Sequence, residues 1–207
     1  MELRELSDEE LMERFRGGTA GAFDVLLERH GQAVFRFALR QHGQRELAED
    51  LMQEVFLRVI KKADSFRRRS KFTTWLYTIA RNVSVDAMRR NRHRRTVSLD
   101  RPLGDEPDSQ TLYDVCSDGG TGGEQCAGRG AGRGAADQLA MDREFSARLE
   151  QALQALPPEQ REVFVLRELQ GLPFAEIGGI VGASPNTAKS RMRYALQSLS
   201  QALTDFR

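Results

Sequence analysis

Apolar residues recur every three or four positions through most of this chain, and one long interval breaks the period. Before the break the spacing predicts four helices. Ser7-Asp8-Glu9-Glu10 reads as a capping box opening a short helix to about Arg16, which Gly17-Gly18 ends. Thr19 can cap a second helix to about Gln41, with Phe23, Leu26, Leu27, Val34, Phe35 and Ala38 at helical spacing before Gly43 breaks it. A third runs from about Arg45 to Ala63 and aligns Leu47, Ala48, Leu51, Met52, Val55 and Val59 on one stripe. After an Asp64 to Ser70 loop, a fourth runs from about Thr73 to Arg90, burying Phe72, Leu76, Ile79, Ala80, Val83 and Ala87.

From Thr96 to about Gly134 the period is lost. Pro102, Pro107 and a string of acids come first, then eight glycines in the sixteen residues from Gly119 to Gly134. Such a composition has little conformational preference and reads as a flexible linker. Periodicity resumes at Ala136 with Leu139, Phe145, Leu149 and Leu153. Leu156-Pro157-Pro158 starts a helix over EQREVFVLRELQ with Val163, Phe164 and Leu166 inward, and Gly171 ends it. PFAEIGGIVG is a short helix closed by Gly182, and Ser184-Pro185 opens the last, with Ser as N-cap and Pro in the first turn. Two helices joined at a Gly make a helix-turn-helix. Gly178-Gly179 weakens its first helix by roughly 1 kcal/mol per Gly relative to Ala. The expected fold is all-α: two small helical domains, 1–95 and 136–207, joined by a flexible acidic and Gly-rich linker at 96–135, the second containing the helix-turn-helix.

The polar faces carry the candidate chemistry. Opposite the apolar stripe of the third helix stand Asp50, Gln53, Glu54, Leu57 and Lys61. A Leu bordered by acids and an amide suggests a partner surface, although single exposed leucines are common. On the fourth helix Thr74, Thr78, Arg81, Val85 and Arg89 face away from the stripe, flanked by Asn82, Trp75 and Tyr77. Those two aromatics are either core filler or, given their Arg and Asn neighbours, base-stacking groups. The last helix places Ala188, Met192, Ala195, Leu196 and Leu199 on one side. Asn186, Lys189, Ser190, Arg193 and Gln197 lie on the other, beside Thr187 and Arg191. Donors near the N-terminus of such a helix are placed to meet major-groove edges and phosphates.

Charge sharpens this picture. The net charge is only +1, yet Lys61 to Arg95 holds twelve Lys/Arg against two acids, together with the only Trp. A basic, aromatic-bearing stretch suits phosphates and stacked bases. The flanks are acidic. No window resembles a membrane span, and the acidic, amphipathic N-terminus is unlike a signal or transit peptide, so a cytoplasmic protein is expected. Cys116 and Cys126 lack His or Cys neighbours at metal spacing and read as incidental thiols, with a redox pair as the alternative. His30, His42 and His93 are scattered, and the basic stretch contains only Asp64 and Asp86. A metal-dependent nuclease would need clustered carboxylates there, so no enzyme, metal or cofactor is expected.

AEDLMQEVFLRV followed by FTTWLYTIARNVSVDAMRR closely resembles the second conserved region of bacterial RNA polymerase sigma factors of the extracytoplasmic-function (ECF) group. LPPEQREVFVLRELQGLPFAEIGGIVGASPNTAKSRMRYAL resembles their fourth region. The resemblance implies a promoter-specificity subunit that binds core RNA polymerase and promoter DNA and is held in check by a cognate anti-sigma factor. It implies that Asp50, Gln53, Glu54 and Leu57 dock on polymerase. It implies that Phe66, Arg67, Arg68, Arg69, Trp75, Tyr77, Arg81, Asn82 and Arg89 open the minus-10 element and hold its non-template strand. It implies that Ser184, Asn186, Thr187, Lys189, Ser190, Arg191 and Arg193 read the minus-35 duplex. The competing reading is a two-domain helix-turn-helix regulator that binds duplex DNA without joining polymerase.

Overall fold

A computed structural model describes residues 2–67, 70–95 and 133–204, with the backbone alone at 91–95 and 133–143. Arg68, Arg69, both cysteines and the acidic and Gly-rich stretch over 96–132 lie outside the described residues. The described residues form eight α-helices and no strand. They are α1 (Asp8–Arg16), α2 (Ala20–His42), α3 (Arg45–Lys61), α4 (Phe72–Arg95), α5 (Arg133–Ala155), α6 (Pro158–Glu168), α7 (Phe174–Val181) and α8 (Pro185–Ala202). Short 3-10 turns stand at Leu3–Glu5 and Ala63–Ser65. The chain divides into two compact units, one of 1–84 with 141–207 and the other of 85–140.

Local signals set most helix ends. The capping box at α1 is complete: Ser7 Oγ accepts from the Glu10 amide, and the Ser7 amide donates to Glu10 Oε2 at 2.9 Å. Gly43 adopts φ 72° at the end of α2 and its amide closes on the Leu39 carbonyl. Other ends depend on distant residues. Glu9 Oε1 accepts the Phe72 amide at 2.8 Å, satisfying a donor at the start of α4 from a side chain on α1. Arg29 ties the N-terminal turn to α2, donating to the carbonyls of Arg4 and Leu6 and to Asp8. Burial opposes the Asp8 charge, but hydrogen bonds from His30 and Arg29 outweigh it and hold the carboxyl below its ordinary value.

The N-terminal core is built from Leu11, Met12, Leu26, Val34, Phe37, Val55, Phe72, Leu76 and Tyr77, all fully buried. Ring contacts link Phe15 to Phe23 and Phe23 to Phe56 across α1, α2 and α3. All six residues of the expected α4 stripe are buried. Phe37 and Phe56 complete the core from α2 and α3, whereas Leu27 of the expected α2 set is partly exposed.

In the C-terminal helices, Leu153, Leu156, Ala195 and Leu199 form a buried cluster against which Leu149 and Phe164 pack. Gly182 turns the chain between α7 and α8 at φ 67°, and the Ala183 amide bonds back to the Gly178 carbonyl at 2.9 Å. A Cβ on Gly178 would stand 2.7 Å from the Ala183 carbonyl oxygen, so this turn requires glycine there; beside Gly179 there is open space. Ser184 caps α8 by accepting the Thr187 amide at 3.1 Å, with Pro185 in the first turn. Such a cap contributes about 1 kcal/mol. Leu196 differs from the expected buried side: it is 49% exposed. Eight residues from Ala188, it has drifted round the helix past the edge of the covered stripe.

The two helical sets share one unit. Arg161 of α6 is buried and forks: Nη1 donates to the Gln41 carbonyl at 2.7 Å, and Nη2 donates to the carbonyls of Gln154 and Leu156. Gln154 of α5 donates to the Arg40 carbonyl at 3.0 Å. The last carbonyls of α2, where the helix dipole is negative, thus end on a cation and an amide from the other end of the chain.

Candidate nucleic-acid and partner surfaces

On α3 the structure exposes Asp50 and Gln53 and leaves Glu54 half-buried, accepting from Arg58 at 2.7 Å. Leu57 is 50% exposed and Ile60, one turn on, is 43% exposed. These two apolar groups on an otherwise polar face make a small adhesive patch. Ile60 is absent from the residues expected from the sequence. Its signal was available in the i, i+3 spacing to Leu57.

Around the α3–α4 loop, Phe66 is buried and meets Phe72 and Trp75 edge-on, with ring centroids 6.0 and 5.3 Å away. Trp75 is half-buried, so part of its ring faces out while its edge is fixed by Phe66. Arg67, Asn82 and Arg89 are exposed. Tyr77 has the core position: it is 1% exposed, packs edge-on against Phe37 at 5.6 Å, and its hydroxyl is buried without a hydrogen-bond partner. Burial pushes that hydroxyl above its ordinary pKa. Of the two flanking aromatics, only Trp75 presents a surface that a base could reach.

Arg81 is half-buried and donates from Nε to Glu162 Oε1 of α6 at 2.8 Å. Burial raises the Glu162 carboxyl above its ordinary value, although the Arg81 guanidinium opposes the shift. Two turns earlier on the same side of α4, Thr74 donates to Glu176 Oε2 of α7 at 2.7 Å. Lys71 pairs with Glu176 Oε1 at 2.8 Å. Burial opposes ionisation of Glu176, but the bonds from Lys71 and Thr74 outweigh it and hold that carboxyl low.

α8 carries the other surface. Asn186, Thr187, Lys189, Ser190 and Arg193 are exposed, while Ala188, Met192 and Ala195 are buried beneath them. Ser184 and Thr187 are joined by a 2.9 Å hydroxyl contact, so part of their hydrogen-bonding capacity is spent on the cap. Arg191 is held by Glu159 of α6. The Arg193 guanidinium lies over the Tyr194 ring, 5.2 Å from its centroid. Exposed donors on one rigid, capped helix suit acceptors on base edges and phosphates. Among the described residues, no group of three or more His, Cys, Asp or Glu is placed to hold a metal ion, and no helix is long and apolar enough to cross a membrane.

Two protein-family models match the chain. Sigma-70 region 2 covers residues 26–94, and Sigma-70, region 4 covers residues 146–199. The chain is 33% identical over 192 residues to RNA polymerase sigma factor CarQ of Myxococcus xanthus, covering 93% of this chain and 95% of that one. It is 30% identical to ECF RNA polymerase sigma factor SigM of Mycobacterium tuberculosis H37Rv, covering 96% and 86%. Among solved structures it resembles the sigma factor RpoE of Bartonella quintana, determined in complex with the anti-sigma factor NepR. That match has 26% identity and a TM-score of 0.59, and covers 89% of this chain and 98% of that one. The structure of CnrH in complex with the cytosolic domain of CnrY shares the fold, with a TM-score of 0.63 at 22% identity and coverage of 96% and 97%.

Proposed function

The chain belongs to the ECF group of bacterial RNA polymerase sigma factors, the polymerase-binding, promoter-recognising subunits of transcription initiation, and on that premise we propose how its surfaces divide the task. The α3 face bearing Asp50, Gln53, Glu54 and Leu57, with Ile60 added, docks on core polymerase. Trp75, Asn82, Arg81, Arg67 and Arg89 hold the opened minus-10 strand: cations track its phosphates and the Trp ring stacks a base. Phe66 supports Trp75 from beneath. Strand opening is driven by binding, because an unpaired base gains contacts that a duplex withholds. Arg68 and Arg69 keep their place in this assignment on sequence grounds.

The exposed α8 donors read the minus-35 element as duplex. Residues 1–95 form the polymerase and minus-10 module, 136–207 the minus-35 module, and 96–135 the connection. The chemistry of RNA synthesis belongs to polymerase, and this chain contributes no catalytic group. It works in the cytoplasm, where an anti-sigma factor masks it, as the relative crystallised with NepR suggests.

The observation that carries this reading is the coexistence of an exposed apolar pair on α3 with an exposed donor face on α8. A regulator confined to duplex DNA needs the second and has no use for the first. Run-off transcription with purified core polymerase over a promoter library tests it. Promoter-dependent transcripts are expected. Tight duplex binding without any association with core would overturn it in favour of the regulator.

A further inference from the structure

The first turn of α1 carries three consecutive acids, Asp8, Glu9 and Glu10, which point to different elements. Glu10 accepts from the Ser7 amide and completes the capping box. Asp8 turns to α2, accepting from Arg29 at 2.7 Å and standing 2.7 Å from His30 Nε2. Glu9 reaches the start of α4, where its Oε1 accepts the Phe72 amide at 2.8 Å across 63 residues of sequence.

That bond falls where the local chain offers no cap. The residue before Phe72 is Lys71, whose side chain has donors and no acceptor. Ser70, one step further back, donates its hydroxyl to the Arg67 carbonyl. The first amides of a helix find no partner within it, and one left unsatisfied beside a buried ring is costly. The Phe72 ring is fully buried and joins the site together. It lies 6.0 Å from Phe66, 6.1 Å from Trp75 and 5.3 Å from the His30 ring. Phe72 is thus fixed twice, through its amide by Glu9 and through its ring by Phe66 and His30. Trp75 follows from it, since the Trp75 amide closes the first turn of α4 on the Lys71 carbonyl at 3.2 Å.

We propose that Glu9 is a positioning residue for strand capture: by capping α4 from α1 it sets the Phe66, Phe72 and Trp75 cluster and holds the Trp75 face towards an unpaired base. The proposal rests on the assignment of Trp75 to the minus-10 strand. Glu9 acts through the backbone of Phe72 and not by touching DNA. What matters is an acceptor at the right reach, not the negative charge. The charge has another target, since Glu176 chiefly, and Glu9 in addition, hold the Lys71 ammonium above its ordinary value. Substitution separates the two effects. Glu9→Gln keeps the reach and an acceptor without the charge, and Glu9→Asp keeps the charge one methylene short.

The test compares the full chain with Glu9→Gln, Glu9→Asp and Glu9→Ala. Trp75 is the only Trp, so its emission and its quenching by acrylamide in the free chain report its setting without any DNA. Permanganate reactivity of the minus-10 region, with core polymerase present, reports capture. Glu9→Asp and Glu9→Ala are expected to shift the emission to the red and to increase quenching. They should lower permanganate reactivity by up to about 10-fold, the scale of one hydrogen bond of ~1.4 kcal/mol. Glu9→Gln should keep the parental values. Ser7→Ala removes the α1 cap and leaves the Glu9 bond in place, so it should lower the urea midpoint without moving Trp75.

Unmoved Trp75 emission in both Glu9→Asp and Glu9→Ala would overturn the positioning role. So would parental behaviour of Glu9→Asp with a loss in Glu9→Gln, which would make the charge decisive. An equal emission shift in Ser7→Ala would overturn it too, reducing Glu9 to general support of α1. If Trp75 moves and permanganate reactivity is kept, Trp75→Ala locates the failure. A reactive Trp75→Ala complex would overturn the strand-capture assignment itself, and an unreactive one only the claim that Glu9 serves it. Far-UV circular dichroism confirms that each variant is folded, and Glu9→Asp, the mildest change, carries the test if Glu9→Ala unfolds.

Discussion

Arg161 and Gln41 stand 120 residues apart in sequence, and the Arg161 guanidinium donates to the Gln41 carbonyl at 2.7 Å. The same side chain satisfies the Gln154 and Leu156 carbonyls. Arg161→Met keeps much of the volume but leaves buried acceptors without donors. It should destabilise the chain by about 2–4 kcal/mol in urea denaturation. Arg161→Lys should recover only part of this, because one ammonium cannot fork across carbonyls on different helices. A Met variant within about 0.5 kcal/mol of the parent would show that these bonds carry no net stability.

Adjacent glycines in α7 should respond in opposite directions. Gly178→Ala drives a methyl into the Ala183 carbonyl and should cost about 1–3 kcal/mol. Gly179→Ala meets open space and improves helix propensity, so it should stabilise by up to about 1 kcal/mol. Thermal unfolding of the two single variants reads the difference. A reversed order would mean that the turn between α7 and α8 relaxes freely.

Leu57→Ser and Ile60→Ser should each weaken binding to core polymerase by about 1–2 kcal/mol, measured by competition against the parent chain. Both side chains are already about half exposed, so urea stability should move by less than about 0.5 kcal/mol. Full retention of core binding in the double variant would remove this face from the docking surface.

Trp75→Ala should reduce permanganate reactivity of the minus-10 region by about 10-fold, the scale of one lost stacking contact of ~1.4 kcal/mol. Association with core should change by less than about twofold. Because Trp75 also packs on Phe66 and Phe72, the comparison is made at a temperature where both proteins are folded. Unchanged footprints would end its assignment to strand capture.

Burial, and then the Arg161 charge, lower the His42 pKa from 6.5 to about 4. The unfolded chain takes up a proton between those values that the folded chain refuses. The contribution of His42 is therefore complete above pH 6.5 and is lost as the pH falls towards 4. Discounted for its partial exposure, the loss is about 1–2 kcal/mol. Urea denaturation at pH 7 and pH 4.5 should show this fall in the parent and a smaller one in His42→Gln. Equal falls in both proteins would mean that His42 ionises freely when folded.

The helices were legible because short-range chemistry marks their ends: the Ser7 box, the glycines at 43 and 182, and Ser184-Pro185. The α8 donor face was legible for a related reason, since one helix period separates Ala188 and Met192 from Lys189 and Arg193. Tyr77 was ambiguous because its hydroxyl resembles a surface group, whereas the structure buries the whole residue. Gly178 and Gly179 have identical propensities and differ only in what lies beside them. The partners of Arg81, Thr74 and Gln41 are 81 to 120 residues away, and no local pattern names them. Pairings of that kind are decided by packing, after the periodicity has been used.

The dependence of α2 on Arg161 also sets an order of events at the ribosome. A chain grows at about 5–20 residues per second, so Gln41 precedes its donor by roughly 6 to 24 s. Throughout that interval the Gln41 carbonyl lacks this donor, and from Arg81 onward the completed polar stripe of α4 awaits Glu162 and Glu176. The nascent protein thus displays its cations bare before it has made the acids that cover them.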